Sequence, residues 1–210
     1  MKMIRSTAVC FLTAAILLSS SGEAAILIDG TAPGYTNNGS FESAVDWKSA
    51  DGSTALAADL GLTLDMLYKT GSATPSDGAQ YTVIAVNGSG LSAGAFLDTG
   101  YDLAEGDTFN LGFWHGEHHN VESGDSFDWQ LFTTTTNDDG GVLSDVIASA
   151  SVSGNASATL AEETFTGVGT VSSGMAGKRL FLGFTPAGLD DNYVALDEVN
   201  LEVISVPEPA

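Results

Sequence analysis

The chain has 210 residues, with 6 basic side chains against 27 acidic ones and a formal net charge of -21. That balance repels nucleic acid and anionic lipid headgroups, and it suits neutral glycans, divalent cations or a salty medium. A single cysteine excludes an internal disulfide, and 43% hydrophobic content excludes a disordered acidic tail.

At the N-terminus Lys2 and Arg5 precede an uncharged, largely apolar stretch, Thr7 to Leu18, followed by the small-residue run Gly22-Glu23-Ala24. This order is that of a signal peptide, so residues 1–24 are set apart and export with cleavage close to Ala24 is expected. The apolar stretch is too short to span a bilayer comfortably. Cys10 lies within it, so cleavage would leave a mature chain with no thiol chemistry. The remainder is long enough for one domain with a sizeable core, and residues 25–205 show no repeat and no long linker.

Between Ala55 and Lys69, Leu56, Leu60, Leu64 and Leu67 fall at helical spacings. One or two short helical turns are expected there, with Thr63 as a cap, and Gly61 interrupts the run. The rest reads as strands. Gln80–Val86 is rich in β-branched and aromatic residues and ends at the turn signal Asn87-Gly88. Thr108–Trp114 alternates, placing Phe109, Leu111 and Phe113 on one face and turning Trp114 away. Asp128–Thr135 follows, with Trp129 on the core side beside Leu131, and then the turn Asn137–Gly141. Leu180–Phe184 precedes a Pro-Ala-Gly turn, and Tyr193–Ile204 sets Val199, Leu201 and Val203 opposite Glu198, Asn200 and Glu202. Turn clusters at these intervals fit an antiparallel sandwich.

Read in order, several of these segments carry a resemblance. Asn38-Gly-Ser-Phe-Glu42 with Trp47, Gly78-Ala-Gln-Tyr-Thr-Val83, Leu103–Trp114 and Val194-Ala-Leu-Asp-Glu-Val-Asn-Leu201 resemble the successive motifs of the galactose-binding-like jelly roll used by many carbohydrate-binding modules. The resemblance implies an all-β, antiparallel jelly-roll β-sandwich with one short helical insertion. It also implies a structural calcium joining the opening glutamate to the closing aspartate, which here are Glu42 and Asp197. On its own residues, Asp197 shares parity with Val199, Leu201 and Val203 and so points into the core, where a carboxylate needs a cation or several donors. Calcium and backbone amides across the chain ends are both open as its partners.

The candidate glycan platform consists of Trp114 with His115 and Glu117 beside it, together with Trp47 and Tyr101. Flat rings stack on sugar C–H faces, but large aromatics also fill sandwich cores. His115 and His118 at i, i+3 could share a metal on a turn, although a polar hairpin loop is the commoner explanation of such a segment. Asp138-Asp139 and Asp190-Asp191 sit in turn contexts, and no nucleophile–base signature stands out. The final Val206-Pro-Glu-Pro-Ala210 resembles the start of the PEP-CTERM sorting signal of bacterial surface proteins handled by an exosortase. In that family an apolar span and an arginine cluster follow. Together these readings give an exported cell-surface or matrix protein, non-catalytic, with polysaccharide and the export and sorting machinery as partners. The alternatives are a structural envelope or biofilm component and, last, a glycan-active enzyme.

Overall fold

The alternation along the chain resolves into two antiparallel sheets packed face to face in a computed structural model, which describes residues 23–30, 37–42, 46–50, 54–122 and 124–206. The expected signal sequence through Gly22, with Cys10, and the Pro207–Ala210 part of the terminal motif lie outside the described residues. The larger sheet runs in the order β3 (Ser92–Ala93), β2 (Thr82–Val86), β10 (Asn192–Ile204), β5 (Thr108–His119) and β8 (Ala161–Val168). A further strand, β1 (Ala24–Ile28), pairs with the second half of β10, while β2 pairs with its first half. The smaller sheet runs β4 (Ala95–Asp102), β9 (Arg179–Pro186), β6 (Ser126–Thr134) and β7 (Leu143–Ser153). The chain therefore has the expected all-β, jelly-roll sandwich architecture.

Strand alternation decides what fills the space between the sheets. Phe109, Leu111 and Phe113 of β5 and Leu196, Val199, Leu201 and Val203 of β10 face Phe127, Trp129 and Leu131 of β6 and Leu180, Leu182 and Phe184 of β9. Each such side chain contributes roughly 1.5–3 kcal/mol by leaving water, which in a chain without a disulfide is the dominant stabilising term.

Both sheets are also covered in part on their outer faces. On the smaller sheet Phe132 and Phe181 stack at 5.7 Å between ring centroids, and α1 (Ala55–Asp59) lays Leu56 and Ala57 over them. Five residues are too few to hold a helix unaided, so this tertiary contact maintains it. Its cap is Thr54, whose Oγ1 accepts from Ala57 N at 3.2 Å, and not the expected Thr63. Thr63 instead meets Ser92, because the chain past Gly61 (φ 71°) leaves the helix to run beside β3. On the larger sheet Ala73, Tyr81, Val83, Ala85, Leu160 and Ala195 form a second buried cluster under the segment that runs from Leu62 to Tyr81.

Asp197 is fully buried, as its sequence context implied, but not on the expected face. Register between β10 and β5 shifts between Asp197 and Asn200, and Glu198 sits at φ 49°. This bulge inserts one residue, so Val194 and Leu196 before it share the core face with Val199 and Leu201 after it. Asp197 falls with Ala195 on the outer face, beneath the covering segment. The bulge is pinned closely. A Cβ on Gly39 would lie 2.2 Å from the Val199 carbonyl oxygen, and one on Gly30 would lie 2.5 Å from the Glu198 carbonyl carbon. Val199 N donates to Gly39 O at 2.8 Å, and Gly30 N donates to Asn200 Oδ1 at 2.9 Å.

Candidate functional site

Two carboxylates far apart in sequence grip one loop. Asp197 Oδ2 accepts from Ser76 N and Ser76 Oγ, both at 2.8 Å, and from Asp77 N at 3.3 Å, while Oδ1 accepts from Glu198 N at 2.8 Å. Glu42 Oε1 accepts from Ala79 N at 2.7 Å and Gln80 N at 2.6 Å. Gly78, between these anchor points, has φ 65°, and a Cβ there would lie 2.2 Å from Glu42 Cδ. Only glycine fits that close approach. Burial pushes the Asp197 carboxyl up to about 6, against the opposing pull of its four donors. Burial also raises Glu198, as do the neighbouring charges of Asp77, Glu162 and Asp29.

Glu42 and Asp197 thus hold the same loop from its two ends, Asp197 at Ser76 and Asp77 and Glu42 at Ala79 and Gln80. The donors within reach are carboxylate and hydroxyl oxygens, the hard ligands that calcium takes. Among the described residues no group of three or more His, Cys, Asp or Glu side chains gathers closely enough to hold a metal ion. Backbone oxygens would therefore have to complete any shell. The backbone amides already supply the alternative means of satisfying Asp197.

The aromatic platform is not assembled. Trp47 is buried, donates Nε1–H to Asn38 O at 3.0 Å, and packs on Phe41 with 4.9 Å between ring centroids. Tyr101 donates its hydroxyl to Asp107 Oδ2 at 2.8 Å and rests on the main core. Trp114 does turn away from Phe109, Leu111 and Phe113, but it is half-buried against the second cluster, because the Leu62–Tyr81 segment covers that face. β5 continues to His119, so the expected histidine loop is strand. His115 points inward between Phe113 and Phe127, where burial lowers its pKa. His118 lies on the other side, hydrogen-bonded through Nδ1 to Tyr81 Oη at 2.8 Å and close to Tyr193, and burial lowers its pKa as well. On opposite faces these two histidines cannot share a metal. Glu117 is half-buried opposite Val194.

Sequence reasoning missed a groove on the exposed part of the larger sheet, where β1, β10, β5 and β8 lie side by side. It encloses about 370 Å³. Its floor is built from the outward positions of three strands: Asn110 and Gly112 of β5, Asn200 and Glu202 of β10, and Glu162, Thr164 and Thr166 of β8. At the β1 side the exposed Ile26 contributes an apolar flank, with the Asp29 carboxylate beyond it, while Ile28 between them is turned into the core. Gly112 deepens the centre, since it stands opposite Thr164 on one side and Asn200 on the other without a side chain. Asn110 donates to Glu202 Oε2 at 2.8 Å and accepts from Gly167 N at 3.0 Å, so the floor is held in place by its own polar groups. The signal for it was the outward parity of Asn200 and Glu202, but only the pairing of β10 with β5 and β8 brings these positions together.

No family model and no curated protein matches the chain. Solved structures do. A cyclase from Fischerella sp. TAU is 12% identical, with a TM-score of 0.57 over 88% of this chain and 100% of that one. The apo form of a cyclase from Fischerella sp. is 17% identical, with a TM-score of 0.56 over 88% of this chain and 98% of that one. The CBM22-1 xylan-binding domain of Paenibacillus barcinonensis Xyn10C is 13% identical, with a TM-score of 0.48 over 89% of this chain and 98% of that one. At these identities the likeness is one of fold alone.

Proposed function

We propose that this chain is a non-catalytic, extracellular glycan-binding module that takes a neutral polysaccharide in the groove between β1 and β8. The observation that carries the reading is the groove's lining. Threonine hydroxyls, asparagine amides and carboxylates offer the donors and acceptors that sugar hydroxyls match, and the exposed Ile26 offers an apolar flank for C–H faces. Among the described residues no lysine or arginine lines it, and three of its residues are acidic, so an anionic glycan would be repelled. The sequence resemblance to carbohydrate-binding jelly rolls points the same way. Export rests on the signal-like N-terminus, and surface sorting rests on the terminal Val-Pro-Glu-Pro-Ala motif. A calcium ion between Glu42 and Asp197 belongs to the same reading. It would neutralise a buried carboxylate and stiffen the Ser76–Gln80 loop.

The test is retention of the protein in affinity gels cast with neutral polysaccharides, for the wild type and for Gly112→Val. A Cβ at Gly112 would be 3.7 Å from Thr164 Cγ2, an ordinary contact, so valine fills the groove floor without backbone strain. Valine also suits a strand better than glycine does. Retention of the wild type that disappears in Gly112→Val, at unchanged melting temperature, is the expected result. Equal retention of both proteins would remove the groove from the account. New reducing ends in the incubated polysaccharide would replace the binding module with a glycan-active enzyme.

A further inference from the structure

The edges of the two sheets are treated differently. At β3, Thr63 N and Leu64 N donate to Ser92 O at 2.8 and 2.9 Å. At β4, Lys48 exchanges both backbone hydrogen bonds with Phe96, each at 2.9 Å. These edges are covered by the chain itself. β8 and β7 end the two sheets at the other side of the sandwich. β8 carries Glu162 and Glu163 in succession, so laying it against another acidic strand would set like charges together.

β7 has neither protection. No described residue pairs with its outer edge. From Gly140 to Ala161 the only charged side chain is Asp145, and Lys178 Nζ lies 2.6 Å from its Oδ2. Val146 within the strand and Val142 just before it are 45% and 41% exposed, among the few large apolar side chains so placed. A bulge at Ile147 divides the strand, since Val146 stands opposite Phe132 while Ala148 stands opposite Leu131. Beyond the bulge, Ala148–Ser153 keeps an unbroken register with β6. In that half Ala148, Ala150 and Val152 face the core, and Ser149, Ser151 and Ser153 face solvent.

We propose that the Ala148–Ser153 edge is a self-association surface, on which β7 of a second copy of this chain pairs antiparallel across a two-fold axis. The two smaller sheets then join into one continuous sheet. An unpaired strand edge presents a row of N–H and C=O groups that another strand satisfies. The charge pattern selects the occupant. Two copies that each carry a formal charge of -21 approach most easily where neither presents an unpaired charge, and β7 is that place. Gly169 packs against Ile147 and Ala148 at one end of this edge, and beyond it two-fold pairing sets only uncharged side chains against one another. The bulge at Ile147 limits the ladder to the regular half and so fixes the register within narrow bounds.

Sedimentation equilibrium of the full-length protein, under reducing conditions and over a series of concentrations and salt levels, tests this. The expected result is a reversible monomer–dimer equilibrium that tightens with salt, since salt screens the repulsion between copies. Around the two-fold axis residue 151 lies near its own counterpart. Ser151→Lys alone and Ser151→Glu alone should therefore each yield monomers, and an equimolar mixture of the two should restore the dimer. Unchanged near-ultraviolet circular dichroism establishes that both variants fold, and the Ser149→Lys and Ser149→Glu pair is read in the same way if either does not. A wild type that stays monomeric throughout, single variants that still dimerise, or a mixture that stays monomeric each overturns the proposal. Pairing of a synthetic peptide copying Ala148–Ser153 with a wild type that stays monomeric would indicate an extended peptide from another protein as the occupant.

Discussion

Replacing Asp197 by asparagine should change how stability depends on pH more than it changes stability itself. Burial raises the folded-state pKa of Asp197 from the ordinary 3.8 to about 6. The folded chain therefore holds this proton over a range in which the unfolded chain has already lost it, and stability falls as pH rises through that range. Below about pH 4 both states are protonated and the group contributes nothing, whereas above about pH 6 the full cost of an ionised, buried carboxylate is present. A rise of about two pH units corresponds to about 3 kcal/mol. His115 and His118 act in the opposite sense. Burial lowers their pKa values, so the native state weakens as pH falls through 6.5 and the unfolded chain takes up their protons. Comparison with Asp197→Asn cancels these and every other shared titration. Urea unfolding followed by tryptophan fluorescence at pH 4, 5, 6 and 7 in the presence of a chelator gives the difference. The wild type should lose about 3 kcal/mol relative to the variant between pH 4 and pH 7. A difference that stays flat across that interval would falsify the account of Asp197 as a carboxylate ionised at a cost.

Calcium adds a second reading of the same residue. If it joins Glu42 to Asp197, a hundredfold excess over Kd should stabilise the wild type by about 2.7 kcal/mol, and Asp197→Asn should remove that increment in melting experiments. Gly39→Ala should be severe, at about 3 kcal/mol in urea unfolding, because its Cβ would meet the Val199 carbonyl oxygen at 2.2 Å and the bulge would have to open. Trp114→Ala should cost about 2–3 kcal/mol, less than a fully buried tryptophan, and leave polysaccharide retention intact. Loss of retention at full stability would return Trp114 to the binding face.

The strands that line the core were the most legible in the sequence, since Phe109, Leu111 and Phe113 in β5 and Val199, Leu201 and Val203 in β10 alternate over a half-buried surface. β7 was not legible. Its Ala-Ser-Ala-Ser run has weak strand propensity, and it is held as a strand by pairing with β6. Asp197 shows where parity fails. Its burial could be inferred, but the bulge at Glu198 places a non-glycine residue at positive φ, and nothing in Leu-Asp-Glu-Val announces it. Trp114 shows a second limit. Its face was assigned correctly, and its half-burial was not, because the irregular segment that covers it docks through contacts with no local period. The groove combines both lessons, in that each of its polar residues is ordinary alone and only strand pairing gathers them.

The position of β10 bears on the order in which this molecule can form. It follows every other described strand in sequence, yet it sits in the middle of the larger sheet, between β5 on one side and β1 and β2 on the other. Until residues 192–204 have been synthesised, β1 and β2 have no strand joining them to β5, and the core lacks Leu196, Val199, Leu201 and Val203. The domain cannot be assembled progressively from its first residues, because its keystone arrives last. Contacts so distant in sequence make for slow folding, on the order of milliseconds to seconds. A nascent chain of this design stays without its larger native sheet for most of its synthesis, with the apolar faces of β2 and β5 waiting for the strand that joins them.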